Sequence, residues 1–152
     1  MSSEIAKETA KKVAKIMWAN DDASKSLGME ILSVDSGHAK LGLRVEKRHC
    51  NGLGTCHGGI TFALADSAFA FACNSYNRFN VAQQCSIAYI RPGKEGDYLI
   101  AVADEISKVG RGGIYDIRVY ALNDADDALD KERVIAEFRG NSREIKGQHF
   151  EE

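Results

Sequence analysis

Hydrophobic and polar positions recur along this chain in three rhythms. Ile5, Val13, Ile16 and Met17 fall near one face of a helix over about residues 3–19, with lysines on the other faces. Asn20-Asp21-Asp22 ends it. Residues 28–34 predict a first strand. From 38 to 46 the pattern alternates, with Ala39, Leu41, Leu43 and Val45 on one side and Lys40, Gly42, Arg44 and Glu46 on the other. That is the period of a half-buried strand, entered through a Ser36-Gly37 turn. The stretch HGGITFALADSAFAFAC, 57–73, is apolar on nearly every side and predicts a helix buried all round. Four extended segments follow at about 81–91, 98–108, 113–122 and 133–142, separated by Gly- and Asp-rich turns.

Strands joined by short turns imply an antiparallel sheet, and an all-apolar helix has to be wrapped by it. The pattern therefore predicts an α+β fold with an extra N-terminal helix, in a single domain over 1–152. The segment 146–152 is expected to fray. One sheet cannot cover every side of a helix, so a second copy of the chain is expected against it, making a homo-oligomer.

Composition narrows the function classes. The formal net charge is −2, which offers no basic field for nucleic acid. The start is charged and carries no apolar leader, which predicts a cytoplasmic protein. The longest apolar run, 57–73, is short for a membrane span. Cysteines at 50, 56, 73 and 85 form no CxxC pair and no zinc-like spacing, so no metal is expected, and all four read as small buried hydrophobes. The acidic turn 123–127 lacks the glycine and closing glutamate of a calcium loop and reads as a hairpin tip. His38 and His49 are expected at the surface, and His149 in the tail.

Asp66 is the only carboxylate within 57–73. Leaving it ionised in an apolar setting costs several kcal/mol unless it is paired, in the range of about 1–5 kcal/mol for lost partners. An ion pair across an interface, a capped kink and a catalytic acid all account for it. His57-Gly58-Gly59 stands directly before the helix, where the first N–H groups lack intrahelical partners and suit an oxygen developing negative charge. Gly58 and Asp66 are eight residues apart, roughly 12 Å along one helix axis. Both cannot reach one carbonyl from the same helix. Two copies can, if the helix start of one lies beside the helix middle of the other.

The run N-x-x-G-T-x-H-G-G, from Asn51 to Gly59, followed by L-A-D-S-A-F-A resembles the hotdog-fold acyl-CoA thioesterases of the phenylacetate-degradation (PaaI-type) family. ACNS after the helix, RPGKEGD, GIYDIRVY and FRG extend the likeness over about 18–142. The resemblance implies a hotdog fold, dimers that pair into tetramers, and hydrolysis of an aromatic acyl-CoA of the phenylacetyl-CoA class to free acid and CoA, with no cofactor. It implies Asp66 as nucleophile or general base, Gly58 as the N–H that polarises the thioester carbonyl, and Asn51 and His57 as polar residues lining the site. Some relatives carry a serine about where Ala82 stands. A CoA substrate needs cations for its phosphates, for which Arg91, Lys108, Arg111 and Arg139 are candidates, with Gly59 beside the bound thioester. Phe62, Phe69 and Phe71 are candidates for the acyl wall. Short or medium aliphatic acyl-CoA hydrolysis, enoyl-CoA hydration through a His57/Asp66 pair, and a non-catalytic acyl-CoA-binding module are the competing readings.

Overall fold

The computed structural model describes residues 3–152. Helix α1, Glu4–Ala19, starts where the Ser3 hydroxyl accepts the Ala6 N–H at 3.1 Å, and it buries Ala10, Val13 and Ala14. Asp21 does not simply end the first helix. Its carboxylate accepts the Ser24 N–H at 3.0 Å and caps a further short helix, α2, Asp22–Leu27. That helix closes at Gly28, whose φ of 87° puts it in the left-handed region. Strands β1, Glu30–Asp35, and β2, His38–Arg44, form the first hairpin. The long helix α3, Gly58–Cys73, follows. Strands β3, Asn80–Tyr89, β4, Tyr98–Val109, β5, Gly112–Leu122, and β6, Val134–Glu144, come after it.

All six strands join one antiparallel sheet in the order β1-β2-β4-β5-β6-β3. The chain leaves α3 and crosses to the far edge of the sheet, so β3 has a neighbour on one side only. The expected sheet wrapped around a central helix is what the chain forms. Leu41, Leu43, Leu99, Ile117, Val119 and Phe138 point inward onto Leu64, Ala65, Ala68 and Phe69 of α3. Gly140 on β6 lets this helix in: a Cβ there would stand 2.7 Å from the Phe69 ring. A second, smaller cluster on the outer face gathers Tyr98, Ile100, Tyr120, Leu122 and Val134.

Two expectations are corrected. The segment after β6 does not fray. Buried Asn77, at φ 62°, accepts the N–H groups of His149 and Phe150 at 3.0 and 3.1 Å and donates to the Phe150 carbonyl at 2.9 Å. His149 Nε2 meets Asn74 Oδ1 at 2.9 Å, and its ring packs edge-on against Phe79. Burial lowers the pKa of that imidazole. His49 is not a surface residue either: it is 1% exposed. Its Nδ1 accepts the Glu46 N–H at 2.9 Å and its Nε2 donates to the Leu27 carbonyl at 2.8 Å, tying the loop after β2 to the end of α2. His38 is partly exposed beside Asp104, 2.7 Å away.

Candidate active site

The loop from Cys50 to His57 and the first turn of α3 form one unit. Asn51 folds it. Its side-chain oxygen accepts the N–H groups of Leu53 and Thr55 at 3.0 and 3.2 Å and the Thr55 hydroxyl at 3.2 Å. That leaves the Asn51 amide nitrogen as the part of this side chain not spent on the loop. His57 is the N-cap of α3, and its Nδ1 accepts the Gly59 N–H at 2.8 Å. An accepting Nδ1 is unprotonated, so the neutral ring carries its proton on Nε2 and presents it outward. The His57 carbonyl takes the N–H groups of Ile60 and Thr61 at 2.9 and 3.2 Å. Of the first four N–H groups of the helix, that of Gly58 alone has no acceptor among the described residues. A donor at a helix start, held in place and unspent, suits a developing oxyanion.

Tyr89, at the end of β3, covers this turn. Its hydroxyl donates to the Gly58 carbonyl at 2.8 Å, and a Cβ on Gly58 would stand 3.2 Å from the ring and the hydroxyl. Sequence reading missed Tyr89, because only the strand pairing brings it to residue 58. Gly58 and Tyr89 line a cleft of about 340 Å³ with Cys56, Thr61, Arg91 and Ile135. Arg91 lies in this cleft and donates to the Val134 carbonyl at 2.6 Å.

Asp66 lies two turns further along α3. The sheet covers Leu64, Ala65, Ala68, Phe69 and Ala72 fully, whereas Phe62, Ala63, Asp66 and Ala70 form a half-covered stripe. The Asp66 carboxylate makes no hydrogen bond or ion pair among the described residues, so the kink-capping account finds no partner there. Desolvation by burial raises its pKa above the ordinary carboxylate value. Burial, and after it the charge of Asp66, pushes the Cys85 thiol on β3 up.

The other candidates separate. Arg139 is held by Asp116 in a two-pronged pair at 2.7 and 2.9 Å on the outer face of the sheet. That spends its guanidinium, so it is not a free phosphate ligand. Lys108 stands 4.5 Å over the Tyr76 ring, beyond the C-terminal end of α3, and Arg111 is exposed in the β4–β5 turn. Neither comes near Gly58 of the same copy, which lies at the opposite end of the helix. Phe69 and Phe71 are core, packed on Tyr115 and Trp18, and Phe62 alone of the three aromatics reaches the open stripe. Ala82 lies exposed on β3.

Residues 53–128 match the family model for the thioesterase superfamily. Acyl-coenzyme A thioesterase PaaI of Escherichia coli is 40% identical over 134 residues, spanning 88% of this chain and 90% of that protein. The chain belongs to the thioesterase superfamily. The solved structure of the E. coli PaaI protein, from the phenylacetic acid degradation operon, overlays this thioesterase-family chain with a TM-score of 0.86. It is 38% identical and covers 94% of this chain and 98% of its own. Human acyl-coenzyme A thioesterase 13 is 29% identical over 63% of this chain and 71% of that protein. The hotdog fold expected from the resemblance is therefore the observed one.

Proposed function

We propose that the protein hydrolyses acyl-CoA thioesters to free acid and CoA, with aromatic acyl-CoAs of the phenylacetyl-CoA class as its substrates and with active sites shared between two copies. One observation carries this reading: an unspent N–H, at Gly58, and an unpartnered carboxylate, at Asp66, lie on the same helix but roughly 12 Å apart along its axis. Set antiparallel against a second copy, the half-covered stripe of α3 brings each Gly58 to the other copy's Asp66.

In this arrangement the thioester oxygen accepts the Gly58 N–H. The Asp66 carboxylate of the other copy either takes a proton from the attacking water or attacks the carbonyl itself, giving an anhydride that water opens. The sulfur leaves as CoA thiolate. The Asn51 amide nitrogen and the His57 Nε2–H are donors toward the reacting oxygens, Gly59 shapes the approach, and Arg91 meets a CoA phosphate at the cleft mouth. Bonding to Gly59 occupies the one unprotonated nitrogen of His57, which counts against a His57/Asp66 hydratase pair.

The test is CoA release, followed with a thiol-reactive dye, over phenylacetyl, hydroxyphenylacetyl, acetyl, hexanoyl and decanoyl thioesters, with the Asp66→Asn protein alongside. The reading expects kcat/KM at least tenfold higher for the aryl thioesters and no turnover by the variant. Preference for an aliphatic chain overturns the substrate class, and an active variant overturns the role of Asp66.

A further inference from the structure

Cys50 and Cys56 face each other across the neck of the Asn51 loop. The two residues form an antiparallel bridge. Its flanking hydrogen bonds run from the Asn51 N–H to the Thr55 carbonyl at 2.9 Å and from the His57 N–H to the His49 carbonyl at 2.8 Å. This makes 50 and 56 a non-hydrogen-bonded pair, the register in which opposite Cα atoms approach to about 4.5 Å and both side chains leave on the same side. Disulfides need Cα atoms about 4.4–6.8 Å apart, so the backbone already satisfies the main requirement. Both cysteines are free thiols. The Cys50 sulfur rests 3.5 Å from the Glu46 carbonyl, and the Cys56 sulfur accepts from the Thr61 hydroxyl at 3.7 Å, so neither is held by a strong bond. Cys73 and Cys85 have no such cross-strand register with each other or with this pair.

We propose that Cys50 and Cys56 are an oxidation site, forming a reversible disulfide across the neck of the loop in reaction with peroxides. Cys50, half-buried, reacts first. Its thiolate attacks a peroxide oxygen, the O–O bond breaks, and a sulfenic acid and one water form. The buried Cys56 sulfur then attacks the Cys50 sulfur, the S–O bond breaks, and a second water leaves with the thiol proton. Two electrons pass from the two thiols to one hydrogen peroxide. Burial raises the Cys56 pKa, which suits it to the second step, where a neighbour presents an activated sulfur, more than to the first.

The site adjoins the cleft. Cys56 is part of the cleft wall with Gly58, and His57, the cap of α3, is the next residue. Drawing the two Cβ atoms from a cross-strand spacing of about 4.5–5.5 Å to the disulfide spacing of about 3.8 Å shifts this strand by roughly 1 Å. Displacements of that size at a reacting centre cost up to about a hundredfold in rate. This consequence, unlike the disulfide itself, rests on the proposed function.

The full chain is treated with hydrogen peroxide, its free thiols are counted, and peptides are mapped by mass spectrometry under non-reducing conditions. The proposal expects four thiols to fall to two, one peptide pair linked through Cys50 and Cys56, and full recovery with dithiothreitol. Cys50→Ser, in a partly exposed position, is expected to keep its fold and basal activity and to form no intrachain link. An unchanged thiol count, a Cys73–Cys85 link, or crosslinking between copies overturns the site. With the link mapped, a tenfold or larger, dithiothreitol-reversible loss of CoA release supports its placement at the cleft, and unchanged release by the linked protein refutes the coupling while leaving the disulfide standing.

Discussion

Replacing Gly58 by proline removes one hydrogen-bond donor and little else. Proline is well suited to the first position of a helix, where its fixed φ fits and its missing N–H is not needed. The residue before a proline has to be extended, and His57 already is, with φ −58° and ψ 133°. The N–H that disappears has no acceptor among the described residues. The new Cβ would stand 3.2 Å from Tyr89, so that ring has to give by a few tenths of an ångström, and its hydrogen bond to the Gly58 carbonyl weakens. Losing that bond costs about 1 kcal/mol. Restricting the unfolded chain at a glycine returns about 0.4–1 kcal/mol. The two nearly cancel, so Tm is expected within about 4 °C of the parent. Activity is not expected to survive. Removing one oxyanion donor lowers kcat by about 10²–10³-fold, or roughly 2.7–4 kcal/mol. Gly58→Ala is the control, because it meets Tyr89 in the same way but keeps the N–H. Steady-state CoA release by both variants, with melting curves, separates the steric effect from the donor. Expected is a proline variant at least tenfold slower in kcat than the alanine variant. Equal kcat for the two would refute the oxyanion role of Gly58.

Further outcomes follow from the same structure. The raised pKa of Asp66 means that the folded state holds its proton more tightly than the unfolded chain, so stability falls as pH rises from the ordinary carboxylate range to the raised value. Asp66→Asn is expected to lose that pH dependence in melting curves and to match or exceed the parent at neutral pH, whereas a less stable variant there would mean a hidden partner. In the parent, kcat/KM should climb with pH along an acid limb above the usual carboxylate range. Arg91→Ala is expected to raise KM for acyl-CoA several-fold with little change in kcat, while Arg139→Ala, whose guanidinium is already held by Asp116, leaves KM within twofold; the reverse ranking would put the phosphate contact on the outer face. Ending the chain after Lys146 removes the groups that satisfy Asn77 and the Phe79 partner, and is expected to cost about 2 kcal/mol, or roughly 4–8 °C in Tm.

The main elements were legible because each has a distinct period. Alternation marked β2, uniform apolarity marked α3, and Gly- and Asp-rich turns separated β3 to β6. What escaped was whatever depends on single side-chain contacts. Asn20-Asp21-Asp22 reads equally as a stop and as a cap, and only the Ser24 N–H on Asp21 decides that α2 forms. His49 and His149 look like ordinary polar residues until buried carbonyl and amide partners claim them. At the candidate site, Asp66, Gly58, His57 and Asn51 stood out as local anomalies. Tyr89 did not, since its place depends on how β3 packs at the sheet edge. Arg139 was a reasonable cation until cross-strand register put Asp116 opposite it.

The central claim is that one reaction centre needs Gly58 from one copy and Asp66 from another. Subunit complementation tests it. Two inactive proteins, Gly58→Pro and Asp66→Asn, are unfolded, mixed in equal amounts and refolded together. Random pairing makes half of the dimers mixed, and each mixed dimer holds one site with both residues intact and one with neither, because an isologous pair exchanges the two groups. Recovery of about a quarter of the parent CoA-release activity is expected. No recovery, from mixtures shown to contain the mixed dimer, would mean that each site is built within a single chain and would contradict a shared reaction centre.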